Sequence, residues 1–304
     1  MVINKNEKTV SYNFKISIII VSYNCRQYLD ECLQSIYKFY PPFQDILDTG
    51  QSAEVFVVDN ASTDGSPGLV RKKYPGIRLI ENSQNLGFSK ANNIAICRSS
   101  SEYILLLNSD CQIYKDSIGN LVKFMDINKN AGIAGPKIIN SDGSVQFSCR
   151  RFPSFFDAGM HSILEHIIPG NRFSRRYKLA DIDREKPFEV DWVSGSAMIL
   201  RKKALDDTGF LDEKYFMYVE DIDLCYQMWQ GGWKVFYNPY SEILHHVGKS
   251  THGGATAASI RMQKSIFYFF WKNYRKTYRV IFIVVLPFFL GLRILLTFIK
   301  NLLK

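Results

Sequence analysis

The chain has 304 residues, 46% of them hydrophobic and 14% aromatic, enough to bury a large core in one elaborated domain or in a domain with an appendage. A net charge of +9 points to an anionic partner, whether nucleic acid, a phosphorylated substrate or an acidic membrane surface. The six cysteines include no CxxC pair, which argues against a zinc site and a disulfide framework, and the polar stretch MVINKNEKTVSYNFK lacks the apolar core of an export signal.

In chain order, ISIIIVSYN (Ile16 to Asn24) is an apolar, β-branched run ending in polar residues, the pattern of a buried central strand that opens onto a site. A helix is expected from about Arg26 to Phe39, closed by Pro41 and Pro42. A second strand, Glu54 to Val58, delivers Asp59 and Asn60 to its carboxyl end before a Ser/Gly-rich turn. IRLIENSQNLGFSKANNIAI supplies a third strand, a polar loop at Asn82 to Gly87 and a helix from near Phe88, and EYILLLNSDC supplies a fourth strand. Strands alternating with helices predict an α/β fold built on a doubly wound, mostly parallel sheet with helices on both faces. Ligands bind beyond the carboxyl ends of such strands, where Asn24, Asp59 and Asp110 would gather. Neither GxGxxG nor GxxxxGK[ST] occurs, so any nucleotide phosphate must be held by a metal or by basic side chains.

Further on, YFMYVEDIDLCYQMWQGGWKVFYNPYSEILHH packs Glu220, Asp221 and Asp223 into four positions and ends in a histidine pair. Asp221, Leu224, Cys225 and Met228 fall at helical spacing, which sets the acids on the first turn of a helix. There they are either an N-terminal charge cap or functional carboxylates. Between the two halves, the region from Arg150 to Pro187 is rich in Arg and Lys and shows no aromatic interleaving of a nucleic-acid module. It is either a solvated variable loop or a surface for anionic lipid headgroups or a lipid diphosphate.

Taken in order, VSYNCRQYL, VVDNASTDGS, NLGFSKANN, LLLNSDC, WVSGSAMILR and EDIDLCYQMWQGGWK resemble glycosyltransferase family 2 with its GT-A fold, and most nearly its rhamnosyltransferase-like branch, over roughly Ile16 to Ser250. The resemblance implies an inverting, metal-dependent transfer of a sugar from a nucleoside diphosphate to a hydroxyl of a lipid-linked or polysaccharide acceptor. It favours dTDP-L-rhamnose as donor over a UDP-linked hexose or N-acetylhexosamine. An inactive glycan-binding homologue is the reading from another class. A sugar nucleotidyltransferase shares the sheet layout, but its GGxGTR-type loop is missing.

By the same resemblance, Asp221 is the general base and Glu220 contacts the acceptor, while Asp223 is left as a helix cap. Asp110 ligates a divalent metal, Mn2+ or Mg2+, in an NSD motif whose Asn108 departs from the family's DxD and removes one charge. His245 joins the metal, and His246 points the other way along its strand. Ser22, Asn24, Asp59, Lys90 and Asn108 serve the nucleotide end, with Asp59 on the base edge and Lys90 toward a phosphate. Trp192, Ser194 and Gly195 shape the sugar and acceptor pocket, Gly195 by allowing close backbone approach.

These assignments divide residues 1–255 into a nucleotide-sugar half, about 14–112, and an acceptor half, about 113–255. Residues 256–304 form a helical tail. In it Ser259 to Tyr274 is an aromatic helix, Arg275, Lys276 and Arg279 are basic, and the uncharged run Val280 to Leu292 falls short of the ~20 residues that span a bilayer. An interfacial or re-entrant anchor on the cytoplasmic face of the membrane is the expectation, with a homodimer helix and a tilted span as alternatives.

Overall fold

The computed structural model describes residues 12–41, 52–153, 168, 170–246, 254–276, 283, 286–288, 290 and 291. Its centre is a nine-stranded mixed sheet. The strands are β1 (Phe14–Ser22), β2 (Ala53–Asp59), β3 (Arg78–Glu81), β4 (Ser101–Leu107), β5 (Cys111–Ile113), β6 (Ala131–Ile139), β8 (Phe188–Glu189), β10 (Ala197–Arg201) and β11 (Lys234–His245). β7 (Cys149–Arg150) and β9 (Trp192–Val193) form a separate two-stranded antiparallel ribbon. The order across the sheet is β3-β2-β1-β4-β10-β6-β11-β5, with β8 on β11.

The first four strands run parallel, as their alternation with helices predicts, and β11 lies parallel to β6. β10 enters antiparallel between β4 and β6, and β5 returns antiparallel to β11. Strand period explains the near-continuous apolar runs. Ile19 of β1 packs into one core layer, and Ile16, Ile18 and Ile20 pack into the layer on the other face.

Helix α1 (Arg26–Phe39) covers the second layer through Leu29, Leu33 and Ile36. It is joined there by α2 (Ser66–Lys73) through Val70 and by α4 (Ser117–Ile127) through Leu121 and Met125. The first layer is closed by α3 (Phe88–Arg98), α6 (Lys202–Thr208), α7 (Glu220–Gln230) and α8 (Gly254–Tyr274). A short helix, α5 (Arg172–Tyr177), follows β7 and contributes Tyr177 to the same layer.

The aromatic tail helix is therefore continuous with the main core: Phe269, Phe270 and Tyr274 are buried among residues of β9 and α7. No described helix is long and apolar enough to cross a membrane. Most of the run Val280 to Leu292, Arg279 and the stretch 1–11 lie outside the described residues.

Candidate active site

The chain folds two loops into one clip where β1 and β2 end. Ser22 pairs with Asp59 in the parallel register, and Asn60 N–H donates to the Ser22 carbonyl. Asn24, in the left-handed region at φ 47°, donates its N–H to Ser62 Oγ and accepts from Thr63 N–H at 2.7 Å. Its carboxamide thus ties the first loop to the second.

Asp59 is buried. Its Oδ2 accepts Ser62 N–H at 2.8 Å, while Oδ1 has no hydrogen-bond partner among the described residues. Burial pushes its carboxyl above the usual carboxylate range, against the pull of the Ser62 bonds. A buried acceptor without a partner calls for a donor from outside, such as an amide of a base edge. Lys90 stands exposed on the first turn of α3, whose N-terminal Gly87 carbonyl accepts from Asn60 Nδ2.

A second cluster forms where the β4–β5 turn meets the end of β11. Asn108 N–H donates to the Ser196 carbonyl, and its own carbonyl accepts Cys111 N–H, closing the turn that carries Asp110. The antiparallel register sets Cys111 opposite His245. His245 Nε2 then lies 3.3 Å from buried Asp110 Oδ1, and His245 Nδ1 sits 3.2 Å from Gln146 Oε1, which fixes the ring. Donor atoms of Asp110, Cys111 and His245 all lie within 4.8 Å of one another.

That set fits a hard or borderline divalent ion held through oxygen and imidazole nitrogen. Cys111 is a poor third ligand. Burial drives its thiol well above its ordinary range, and Sγ points at the Ser196 carbonyl, 3.3 Å away. His246 does turn away, toward Ser141 Oγ at 2.7 Å, with Gln112 Nε2 on its other nitrogen.

The acidic stretch occupies the start of α7, as its spacing predicts, and its three carboxylates have three environments. Asp221 Oδ2 accepts the N–H of Gly195 at 2.9 Å, and Oδ1 accepts Ile222 N–H at 2.8 Å. Burial nevertheless holds its carboxyl above the usual range, outweighing those donors and the positive charge of Arg150. Glu220 is buried, with Oε2 unpartnered among the described residues. Burial and then the neighbouring Asp221 push it well above the ordinary value.

Asp223 is not a helix cap: no side chain caps α7. It is completely buried and accepts from Lys272 Nζ at 2.6 Å, Gln227 Nε2 at 2.7 Å, Asn273 Nδ2 at 3.1 Å and Tyr215 Oη at 3.3 Å. Two of these donors come from α8, so the residue locks the tail helix onto the base of the acidic turn. The reason is position. A residue three places into the helix faces inward, where only a partnered charge is tolerated.

The turn entering α7 is strained. Tyr218 and Val219 both sit at positive φ, 71° and 72°, a backbone costing on the order of 1 kcal/mol or more at each non-glycine residue. Its neighbours hold it there. Phe88 N–H donates to the Phe216 carbonyl at 2.7 Å, and Ser265 Oγ of α8 donates to the Met217 carbonyl at 3.0 Å. Gly87 leaves the room, since a methyl group there would run into the Phe216 carbonyl oxygen.

On the β7–β9 ribbon, Trp192 is buried and donates its indole N–H to the Arg151 carbonyl at 2.7 Å, so it serves as wall more than contact surface. Ser194 Oγ, partly exposed, accepts from Ser196 N–H and meets its Oγ. Gly195 packs against the base of the turn, where a Cβ would stand 3.3 Å from Asp221 Cβ. Arg150, which composition alone files with a solvated basic loop, belongs to this ribbon and lies over the Trp192 and Tyr177 rings.

The structure thus gathers Ser22, Asn24 and Asp59 in one clip, Asn108, Asp110 and His245 in a second, and Gly195, Glu220 and Asp221 in a third. The second and third join through Ser196, whose carbonyl holds Asn108 and Cys111 next to the residue that holds Asp221.

The profile of Glycosyl transferase family 2 matches residues 17–209. The chain is 33% identical over 248 residues, 78% of its length, to N-acetylglucosaminyl-diphospho-decaprenol L-rhamnosyltransferase of Mycobacterium tuberculosis, covering 77% of that protein. It is 25% identical to rhamnosyltransferase WbbL of Escherichia coli over 76% of its own length and 83% of that protein's. A mannosyltransferase of Pyrobaculum calidifontis, solved with GDP-Man and Mn2+, superposes with a TM-score of 0.58 over 97% of this chain and 76% of that one at 19% identity, a likeness of fold. The chain belongs to glycosyltransferase family 2, in its rhamnosyltransferase-like branch, and is a glycosyltransferase enzyme.

Proposed function

We propose that this glycosyltransferase moves L-rhamnose from dTDP-L-rhamnose to a hydroxyl of an N-acetylhexosaminyl diphosphate carried on a lipid, with inversion at the anomeric carbon and with a divalent cation. The observation that carries the reaction type is Asp221: a carboxylate of raised pKa, anchored by Gly195 N–H. Its neighbour Glu220 is buried and held well above the ordinary carboxyl value. One base and no covalent intermediate fit a single in-line displacement. The transferred sugar and the acceptor follow the mycobacterial relative's name, and the dTDP carrier follows the family resemblance.

Each group then has a defined task. Asp221 takes the proton of the attacking hydroxyl, and its raised pKa makes it a better acceptor than an exposed carboxylate. Glu220, buried beside Asp221 with its Oε2 unpartnered among the described residues, hydrogen-bonds an acceptor hydroxyl. Asp59 Oδ1 accepts from the nucleotide base, and Asn24 holds the loop that presents it. Asp110 and His245 would hold the cation, which when bound neutralises the charge on the departing diphosphate.

We place the enzyme at the cytoplasmic membrane face, with residues 256–304 as the attaching segment. The outer side of α8 and the turn after it support this: exposed Trp271 stacks on Phe267 under Arg275, and Lys264 and Lys276 are exposed as well. Aromatic rings interleaved with basic residues suit an anionic lipid interface.

A thermal-shift screen of nucleotide sugars with and without Mn2+ tests the donor. The expected result is a higher Tm with dTDP-rhamnose that grows when Mn2+ is present. Stabilisation by UDP-hexoses and none by dTDP-rhamnose would replace the donor, and no shift with any nucleotide sugar would overturn the donor site.

A further inference from the structure

Arg150 is a cation in an unusual place. It lies on β7, and its guanidinium carbon is 5.6 Å from the Tyr177 ring centroid and 5.5 Å from that of Trp192. Its Nε–H donates to the Phe147 carbonyl at 3.3 Å. No carboxylate pairs with it among the described residues, although the chain pairs Arg175 with Asp181 close by in sequence. Stacking on two rings and one backbone bond fix the plane of the fork and leave its terminal N–H groups unspent.

The ribbon register relates this cation to the proposed base. Arg150 pairs with Trp192, Cys149 with Val193, Ser194 N–H donates to the Ser148 carbonyl, and Gly195 N–H donates to Asp221. Trp192 and Gly195 are three residues apart, at most about 10 Å of chain, and Gly195 lies in the turn after β9. The fork therefore stands on the Asp221 side of the site, where its charge acts on that carboxyl. His245, with Gln146 behind it, lies at the β5–β11 edge, where the donor diphosphate would meet its cation.

A permanent positive charge beside a general base lowers that base's proton affinity and weakens it. An anionic group brought by the substrate itself would neutralise the charge only when the acceptor is seated.

We infer that Arg150 is a specificity-determining residue that binds the diphosphate of the acceptor, one sugar ring away from the hydroxyl that Asp221 deprotonates. This rests on the proposed transfer to a sugar diphosphate lipid. Planar, ring-stacked guanidinium is the group suited to bidentate phosphate recognition, and lysine at this position would supply charge without the fork.

The test compares two acceptors with the same sugar, one a prenyl diphosphate glycoside and one a neutral alkyl glycoside, with wild type, Arg150→Gln and Arg150→Lys. Wild type is expected to favour the diphosphate acceptor in kcat/KM, and R150Q to lose roughly 10- to 100-fold of that preference, with R150K between them. The donor KM should stay within about 2-fold. An Arg172→Gln control at an exposed position should keep the wild-type preference.

If R150Q remains folded and keeps the full preference, the inference fails. An equal loss on both acceptors accompanied by a raised donor KM would assign Arg150 to the donor diphosphate and also overturn it. Should R150Q not fold, the R150K preference decides by the same criterion. Absence of wild-type transfer to any diphosphate glycoside would instead reject the proposed acceptor.

Discussion

The backbone N–H of Gly195 donates to Asp221 Oδ2 across 2.9 Å, joining the loop before β10 to the first turn of α7. One hydrogen bond thereby fixes the orientation of the carboxylate whose proton affinity the reaction depends on. Replacing Asp221 by Asn keeps the shape and one of its two backbone N–H contacts but removes the proton acceptor. Transfer should fall by about 10²- to 10⁴-fold while the donor-induced thermal shift persists. Transfer assays beside melting curves check both halves.

Gly195→Ala is expected to act through geometry. The added methyl would stand 3.3 Å from Asp221 Cβ, so the base must move by a few tenths of an ångström. A loss in kcat of about 10-fold with a small change in Tm is expected, since displacement of a reacting group costs rate out of proportion to stability. A variant with wild-type kcat would show that this contact does not set the base.

The pH profile carries the electrostatics. Burial raises the Asp221 carboxyl, so the deprotonated, active form is reached only above the ordinary Asp value of about 4. The acid limb of kcat/KM should fall at a higher pH than an exposed aspartate would give. Burial and the neighbouring Asp221 push Glu220 well above its ordinary value, which favours its uncharged form, so Glu220→Gln should retain more activity than Glu220→Ala. Steady-state rates across pH for the three proteins check this.

Lys272→Met tests the attachment of α8. Lys272 Nζ bridges Asp212 at 2.8 Å and Asp223 at 2.6 Å, and Asp223 is fully buried. Removing the cation leaves that carboxylate short of charge compensation, at about 3 kcal/mol. In the wild type, burial pushes Asp212 up, but the Lys272, Lys214 and Tyr268 donors outweigh it and hold the carboxyl below its usual value. Its stabilising effect is present above the unfolded value and lost as pH falls through the folded one, so stability should decline below about pH 4. Chemical denaturation at several pH values reads both effects.

Asp110→Asn and His245→Gln should each weaken Mn2+ binding, and Cys111→Ser should weaken it far less, because the thiol is turned onto the Ser196 carbonyl. Calorimetric titration with Mn2+ separates the three.

Much of this architecture is legible in the sequence because the central strands are buried on both faces and read as unbroken apolar runs, and because local patterns end at polar turns. Helix α1 begins and ends where its pattern does. The family resemblance assigns Asp110 and His245 to one metal, and the two lie 3.3 Å apart.

The parts that escaped local reading are those made by contact between distant segments. Asp223 looks like a cap because its donors, Lys272 and Asn273, lie about fifty residues downstream. Arg150 looks like loop charge because its partner strand, β9, comes some forty residues later. A clue was available in the lone Trp192 preceding the Ser-Gly-Ser segment, since a buried tryptophan offers its face to a cation. The strain at Tyr218 and Val219 has no sequence signature, since neither residue favours positive φ.

The most direct measurement is mass-spectrometric detection of transfer from dTDP-rhamnose to an N-acetylglucosaminyl diphosphate lipid, by wild type and Asp221→Asn, in the presence of Mn2+. The expected result is one added deoxyhexose with the wild type and none from the variant over the same interval, both proteins binding the donor. Equal transfer by the two proteins would remove Asp221 as the base and contradict the account.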